Sequence, residues 1–527
     1  MRRWLAVLVW AAGAFGAGPK FYDDDPLLAE PAPRDASRAV RRKLSDYYDF
    51  FHHTFATPGD RRAIPALGVN TLGDPMDGAW YERRHYWRRM SIEELQRGPI
   101  RTGPPSRSAR WKVVGVKNEG VTPGFQIRDS ANRLYFVKFD PLCCAEMATA
   151  ADQIANKLLY ALGYHVPENH IVYFTRDDLE LAPGVQIEDA LGRKRPVSSR
   201  DISEILLKVP RDSQGRYRAT ASLALPGKPL GPYRYYGTRS DDPNDTVPHE
   251  HRRDLRALHV ASAWIDHDDS RAINTLDVLE DWKGVKYIKH YQLDLGSTLG
   301  SGSTKMNSAR SGGEYLFAWK PAAVQFFTLG LHVPWWARAH FPNMPSVGRF
   351  ESKVFDPDKW APEYPNPAFL NRLPDDEFWM AKQIVNITDE EIRAIVRTGE
   401  LSDPKAEQYL AACLIERRDK IGRAAFAKVL PLDRFRIEGG VLRWSDLAQE
   451  HGYGGVGPVQ LRWHRFDNAS GQATPWDAAL RDWPRGYWMA ELSASRRPSQ
   501  RVRVYVRSDG ASPRIVGVEH QWRNPAP

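Results

Sequence analysis

Asp269 is followed five residues later by Asn274, and about twenty residues further on by Asp294-Leu295-Gly296. Residues of these types in this order suit phosphoryl transfer. The first Asp can orient or deprotonate an acceptor hydroxyl. The Asn and the second Asp can hold divalent metal ions on nucleotide phosphates. Such chemistry also needs a cation on the phosphates, and one lies upstream. Tyr135-Phe136-Val137-Lys138-Phe139 sets a single lysine inside a β-rich apolar run, where an unpaired ammonium would be costly. The plainer reading is an edge-strand lysine facing water.

The elements that must position these groups follow from pattern. Trp111–Val116, Phe125–Arg128 and Leu134–Phe139 read as strands. The first two are joined by a turn carrying Gly120, Thr122 and Gly124. A glycine turn can lay backbone N–H groups over a phosphate, although most such turns are plain hairpins. Met147, Ala150, Ile154, Leu158 and Leu162 then recur at helical spacing, with Gly163 as the stop. Glu146 opens this helix and is the expected carboxylate partner of Lys138, with Asp152 as the alternative. A strand at His170–Phe174, a polar insertion over about 176–218 and a strand at Arg218–Leu225 follow. Gly227–Gly237 reads as the link between two lobes, and a helix from Arg252 to Ile265 delivers the Asp269 segment.

The rest divides by composition. Residues 1–17 carry Arg2 and Arg3, an apolar run and small residues at Ala12-Gly13-Ala14, a secretory signal pattern. The expected destination is export, periplasmic or secreted, with an uncleaved N-terminal anchor as the alternative. No later stretch is long and apolar enough for a membrane span. Residues 18–108 are rich in Pro, Arg and Asp and read as an extended leader packing on the first lobe. Five tryptophans (Trp319, Trp335, Trp336, Trp360, Trp379) point to a packed, irregular core. Thr388–Gly399 and Pro404–Val429 are amphipathic helices. From residue 431 to 527, short strands between Gly, Asp and Pro turns suggest a small β-sandwich-like domain. The 527 residues carry a net charge of +9 without a concentrated basic face, which argues against a nucleic-acid partner. Three cysteines make no disulfide scaffold, and the adjacent Cys143 and Cys144 are not expected to bridge.

Order and spacing together resemble the atypical, HipA-like branch of the protein kinase-like superfamily, which includes the CotH-like kinases and secretory-pathway casein kinases. The resembling strings are Gly120–Phe125, Val137–Pro141 with Glu146, Gly163–Asn169, Trp264–Asn274 and Asp294–Gly300. They cover about residues 110–430. The resemblance implies an α+β, bilobal kinase-like fold: a β-rich N-lobe over 109–237 and a helical C-lobe over 238–430. It implies ATP with Mg²⁺ or Mn²⁺ as cofactors and an acceptor of unstated class, on a monomeric protein. By position, Lys138 would contact the phosphates and Glu146 would orient it. Asp269 would be the catalytic Asp, Arg271 would neutralise the transferring group, and Asn274 and Asp294 would bind metal. The glycine loop lacks the full Gly-x-Gly-x-x-Gly, Asp294 precedes Leu, and no Ala-Pro-Glu follows. These departures admit an inactive kinase-like protein or nucleotidyl transfer.

Two rivals use other features. Asp266, His267, Asp268, Asp269 and His290, with His249-Glu250-His251, could form a metal site for phosphoester hydrolysis, although the ligands crowd into short segments. Alternatively, the chain is an exported binding protein without catalysis, with the C-terminal domain as its interaction module.

Overall fold

The computed structural model describes residues 18–117, 124–188, 193–477, 480 and 483–522. The signal-like stretch 1–17, and Gly120 and Thr122 of the glycine turn, lie outside the described residues.

The chain enters as an extended strap with two short helices, α1 (Asp46–Phe51) and α2 (Ile92–Arg97). Serine caps start both. Ser45 accepts from the Tyr48 N–H, and Ser91 forms a capping box with Glu94. The sequence reading lays this strap on the first lobe. It touches that lobe and the other two parts of the molecule as well. Thr102 donates to Glu168 of the β-rich lobe, and the Trp379 indole of the helical lobe donates to Asp74. Phe21 packs with Phe466 and Tyr505 of the C-terminal domain.

The β-rich lobe contains β1 (Trp111–Lys117), β2 (Gly124–Arg128), β3 (Leu134–Phe139), α3 (Met147–Ala161), β4 (Asn169–Phe174) and β5 (Leu179–Leu181). The expected polar insertion is organised as a ribbon, β6 (Gln186–Glu188) with β7 (Lys194–Pro196), and a helix, α4 (Ser199–Leu206). β8 (Tyr217–Leu223) completes the lobe. Six strands form one sheet in the order β4-β8-β3-β2-β1-β5, antiparallel except for β1 with β5. One face is covered by Ile202, Ile205 and Leu206 of α4, which bury Trp111, Phe125, Tyr135, Val137 and Phe139. Period-two alternation then sends Phe136 and Lys138 to the opposite face. Cys143 and Cys144, between β3 and α3, are joined by a disulfide, contrary to expectation.

β8 ends at Leu223, and β9 (Lys228–Gly231) already pairs with β10 (Thr275–Trp282) of the second lobe. The link between lobes is therefore residues 224–227, earlier than the expected Gly227–Gly237. β10 pairs along its length with β11 (Val285–Gln292). Between β9 and β10, α5 (Arg253–Ile265) is buried over its full length. It packs with α7 (Pro367–Leu370), α8 (Pro374–Val385) and α10 (Pro404–Lys428), and α9 (Asp389–Arg397) joins the same core against α10; all four follow α6 (Trp319–Phe327) in the chain. Trp264, Trp360 and Trp379 sit in this core. Trp319 does not: it is 72% exposed, and α6 has no buried residue.

β12 (Leu432–Glu438) and β13 (Val441–Asp446) turn at Gly439-Gly440, both at positive φ. After α11 (Leu447–Glu450) come β14 (Val459–Phe466), β15 (Ala473–Trp476), β16 (Gly486–Ala494), β17 (Arg497–Ser508) and β18 (Pro513–Gln521). These five form an antiparallel sheet in the order β15-β14-β16-β17-β18. Leu432, Leu442, Trp463, Trp483 and Trp488 fill the layer between hairpin and sheet. The architecture is α+β and bilobal, a β-rich lobe then a helical lobe, followed by a small all-β domain, as anticipated.

Candidate active site

The cleft-facing side of β3 brings the chemistry together. The Lys138 ammonium pairs with Asp294 Oδ1 at 2.7 Å, and about a third of each side chain stays exposed. Burial alone would push this ammonium down. The carboxylates of Asp294 and Asp152 outweigh burial and hold it above its ordinary value. Gly124 lies directly opposite Lys138 in the β2–β3 ladder. A Cβ there would come within 2.5 Å of the Val137 carbonyl oxygen, so no other residue fits and the space beside the ammonium stays free.

Asp152 lies inside α3 on the side that meets the sheet. Its Oδ2 accepts from the Asn169 amide at 3.1 Å. Burial pushes its carboxyl up to about 6, with Asp294 adding to the effect and Lys138 opposing it. Asp152, the alternative, is thus the helix carboxylate that acts on Lys138. Glu146, the first choice, is not brought there. It precedes α3 in a left-handed conformation, φ 70°, and accepts from the Ser402 N–H at 2.9 Å.

Asp294 follows β11 at φ 56°, an uncommon conformation for a residue with a Cβ and one often held at functional positions. Asn274 immediately precedes β10, and the Leu293 N–H donates to its carbonyl at 2.9 Å. The β10–β11 hairpin therefore sets Asn274 and Asp294 side by side at its mouth. The Asn274 amide also donates to the Asp269 carbonyl at 2.8 Å, tying the third member to the pair. Asp269 is half-buried and ion-paired with the Arg271 guanidinium. Arg271 reaches Asp46 of α1 at 3.0 Å and Glu363 at 3.4 Å. Burial opposes its charge, but Asp269 and Glu363 hold the guanidinium above its ordinary value. Burial and the Asp269 charge push the Glu363 carboxyl up to about 7. Nothing in the local sequence marks Asp46 or Glu363. They lie over two hundred residues before and some ninety after Arg271.

A cavity of about 360 Å³ is lined by Lys138, Asp152 and Asp294 and by Ala224 and Leu225 of the interlobe link. Phe136, Leu223, Leu276 and Leu293 give it apolar walls, Lys138, Asp152 and Asp294 give it charge, and Gln126, Asn156, Asn169 and Ser222 also line it. The volume falls in the usual range for small-ligand pockets.

The residues of the hydrolase reading are dispersed. His249 pairs with Asp245 at 2.7 Å, His251 with Asp60 at 3.0 Å, and His290 with Asp277 at 2.7 Å. Asp266 accepts from the Trp360 indole, and Asp268 from the Asn307 amide. Among the described residues, no group of three or more His, Cys, Asp or Glu could hold a metal ion.

No family model matches the chain, and no curated protein is significantly similar to it. Among solved structures, it is similar to a Helicobacter pylori proinflammatory kinase, CtkA, at 11% identity and TM-score 0.30, over 60% of this chain and 99% of that one. It is also similar to the Golgi casein kinase, at 10% identity and TM-score 0.29, over 64% of this chain and 75% of that one. The same kinase with Mn/ADP bound gives 9% identity and TM-score 0.27, over 64% and 77%. Scores this low add no weight, and the assignment rests on the geometry of the cleft.

Proposed function

We propose that the cleft binds ATP with Mg²⁺ or Mn²⁺ and that the chain is an atypical, kinase-like phosphotransferase. The observation that carries this reading is Lys138 paired with Asp294 in a cavity that also has apolar walls from Phe136, Leu223, Leu276 and Leu293. A flat, apolar base suits those walls, and phosphates suit the Lys138 ammonium.

The residues present fit the absent groups. The side-chain-free strip at Gly124 leaves room beside the ammonium. Asp152, Asp269 and Asp294 outnumber Lys138 where they meet, and all three carboxylates favour its ammonium. A divalent cation would relieve the excess of negative charge. Asn274 and Asp294 supply few protein oxygens, which suits Mg²⁺ or Mn²⁺ sites completed by phosphate oxygens and water. The bound metal and triphosphate would supply the transferable phosphoryl group and neutralise its charge. Lys138 would hold the phosphates, and Asp152 would keep Lys138 charged and aimed. Asp269 would orient the acceptor hydroxyl and take its proton, and Arg271 would face the charge that develops between them.

One observation favours binding without transfer. Arg271 caps the Asp269 carboxylate and is itself held by Asp46 and Glu363. In that reading the protein holds nucleotide but Asp269 never meets an acceptor.

The test is thermal unfolding with ATP plus Mg²⁺ or Mn²⁺, repeated on Lys138→Ala and Asp294→Ala, with autophosphorylation followed in parallel. A ligand-dependent rise in the wild type that both variants lose supports the site. Incorporation of phosphate separates transfer from binding alone. A hydrolase would instead turn over a generic phosphate ester with metal and no nucleotide.

A further inference from the structure

The exposed apolar residues around α6 form a surface that the cleft does not explain. Trp319 is 72% exposed, Phe326 75%, Phe327 81%, Leu329 88% and Leu331 84%. Folded monomers seldom leave so many large apolar side chains together in water. The projection is anchored at its base. The Leu316 N–H donates to the Glu363 carbonyl at 2.7 Å, and Phe317 packs against Phe55 of the strap with ring centroids 5.3 Å apart. Phe51 and Phe55, more than half exposed, extend the same surface.

Its charge identifies what covers it. Between residues 316 and 338 there is no Asp or Glu, while Lys320 and Arg338 are cationic. Tryptophan stands at both ends, as Trp319 and as Trp335-Trp336. Cations beside Phe and Leu, flanked by Trp, are the composition of segments that lie in the interface of an anionic bilayer. Trp places its ring at headgroup level, and Lys and Arg reach anionic phosphates while their stems stay among apolar groups. A second copy of this chain fits less well, because a two-fold contact would oppose Lys320 and Arg338 to themselves. At 1.5 Å per residue α6 is about 14 Å long, too short to cross a hydrocarbon core of about 30 Å.

We propose that the α6 projection, residues 316–338, inserts shallowly into an anionic lipid surface and seats the protein on it. The proposal does not depend on nucleotide binding in the cleft. The base of the projection meets Glu363, which contacts Arg271, so the membrane-facing side is also the side of Asp269.

The test is sedimentation of the full chain with vesicles of phosphatidylglycerol or of phosphatidylcholine. Partition onto phosphatidylglycerol should be at least tenfold stronger. F326S/F327S/L329S/L331S should weaken it at least tenfold with an unchanged unfolding midpoint, since these side chains support no core. K320E/R338E, with the apolar face intact, should lose most of the preference for phosphatidylglycerol. Three results would overturn the proposal. One is equal or absent binding of the wild type to the two lipids. Another is full retention of binding by the quadruple variant, which would put the contact elsewhere in the chain. The last is a wild-type dimer in size-exclusion chromatography that the quadruple variant converts to monomer, which would make the face an interface between copies.

Discussion

The β10–β11 hairpin carries two sets of acidic and cationic partners, one at its mouth and one three residues further in, and they differ in how far each is closed. At the inner position Asp277 accepts from His290 at 2.7 Å and Arg239 at 2.8 Å, all three are about 4% exposed or less, and Trp80 stacks on His290. Every partner there belongs to the chain. At the mouth, Asn274 and Asp294 meet Lys138, Asp152 and Asp269, the Lys138–Asp294 pair is a third exposed, and a cavity opens beside it. Residue type alone does not separate the two sets. The inner set is complete as it stands, and the outer set has an excess of carboxylate that a cation from solution would balance.

The sharpest break between the regions should come from Asp269→Asn. If Asp269 accepts the hydroxyl proton, this variant should lose about 10²–10⁴-fold in phosphate transfer, measured by autophosphorylation. Its ATP- and metal-dependent thermal shift should survive. Asp277→Ala should do the reverse. Removing the shared acceptor of His290 and Arg239, the latter still paired with Asp241 at 3.0 Å, should cost about 1–3 kcal/mol in chemical denaturation, while the folded protein keeps its nucleotide response.

A smaller effect separates the regions by pH. The Glu363 carboxyl is raised from 4.5 to about 7, and that of Asp152 from 3.8 to about 6. Folded protein therefore holds protons that the unfolded chain has already released. The stability that these two carboxyls contribute should fall as pH rises from about 4 to 7 and level off above that. Glu363→Gln should flatten the upper part of this slope in urea titrations at several pH values. A slope unchanged by Glu363→Gln would mean that its carboxyl is not raised. The smallest effect is expected of Glu146→Ala. It removes the acceptor of the Ser402 N–H and should cost about 0.5–1.5 kcal/mol. The nucleotide shift should remain, whereas Asp152→Asn should diminish it.

Much of this was legible in the sequence because local rules decided it. The alternation of Tyr135, Val137 and Phe139 with Lys138 fixes which face the lysine takes, and the Met147–Leu162 spacing places a helix beneath it. The choice between Glu146 and Asp152 was not legible. It turns on one backbone conformation: Glu146 at φ 70° stands outside the helix and points to Ser402, and nothing in residue type forces that. The histidines misled for a related reason. His249, His251 and His290 sit close to acidic residues in sequence and look like ligands, but partners such as Asp60 and Trp80 arrive from the distant strap. The clamp on Arg271 by Asp46 and Glu363 is likewise long-range. The exposure of α6 was missed because tryptophan content predicts burial in a core, and here Trp319 and the apolar residues of and after α6 stand exposed.

The central claim is that Lys138 and Asp294 form a nucleotide–metal site, and the most direct measurement is the thermal shift of the wild type with ATP and Mg²⁺ or Mn²⁺. At a hundredfold excess over Kd, binding should stabilise the fold by about 2.7 kcal/mol. The account predicts a rise in midpoint that needs both nucleotide and metal and is lost in Asp294→Ala, whose own unliganded midpoint should differ little from wild type because its partly exposed pair contributes about 0–1 kcal/mol. A wild type with no shift, or an Asp294→Ala variant that shifts as the wild type does, would contradict it.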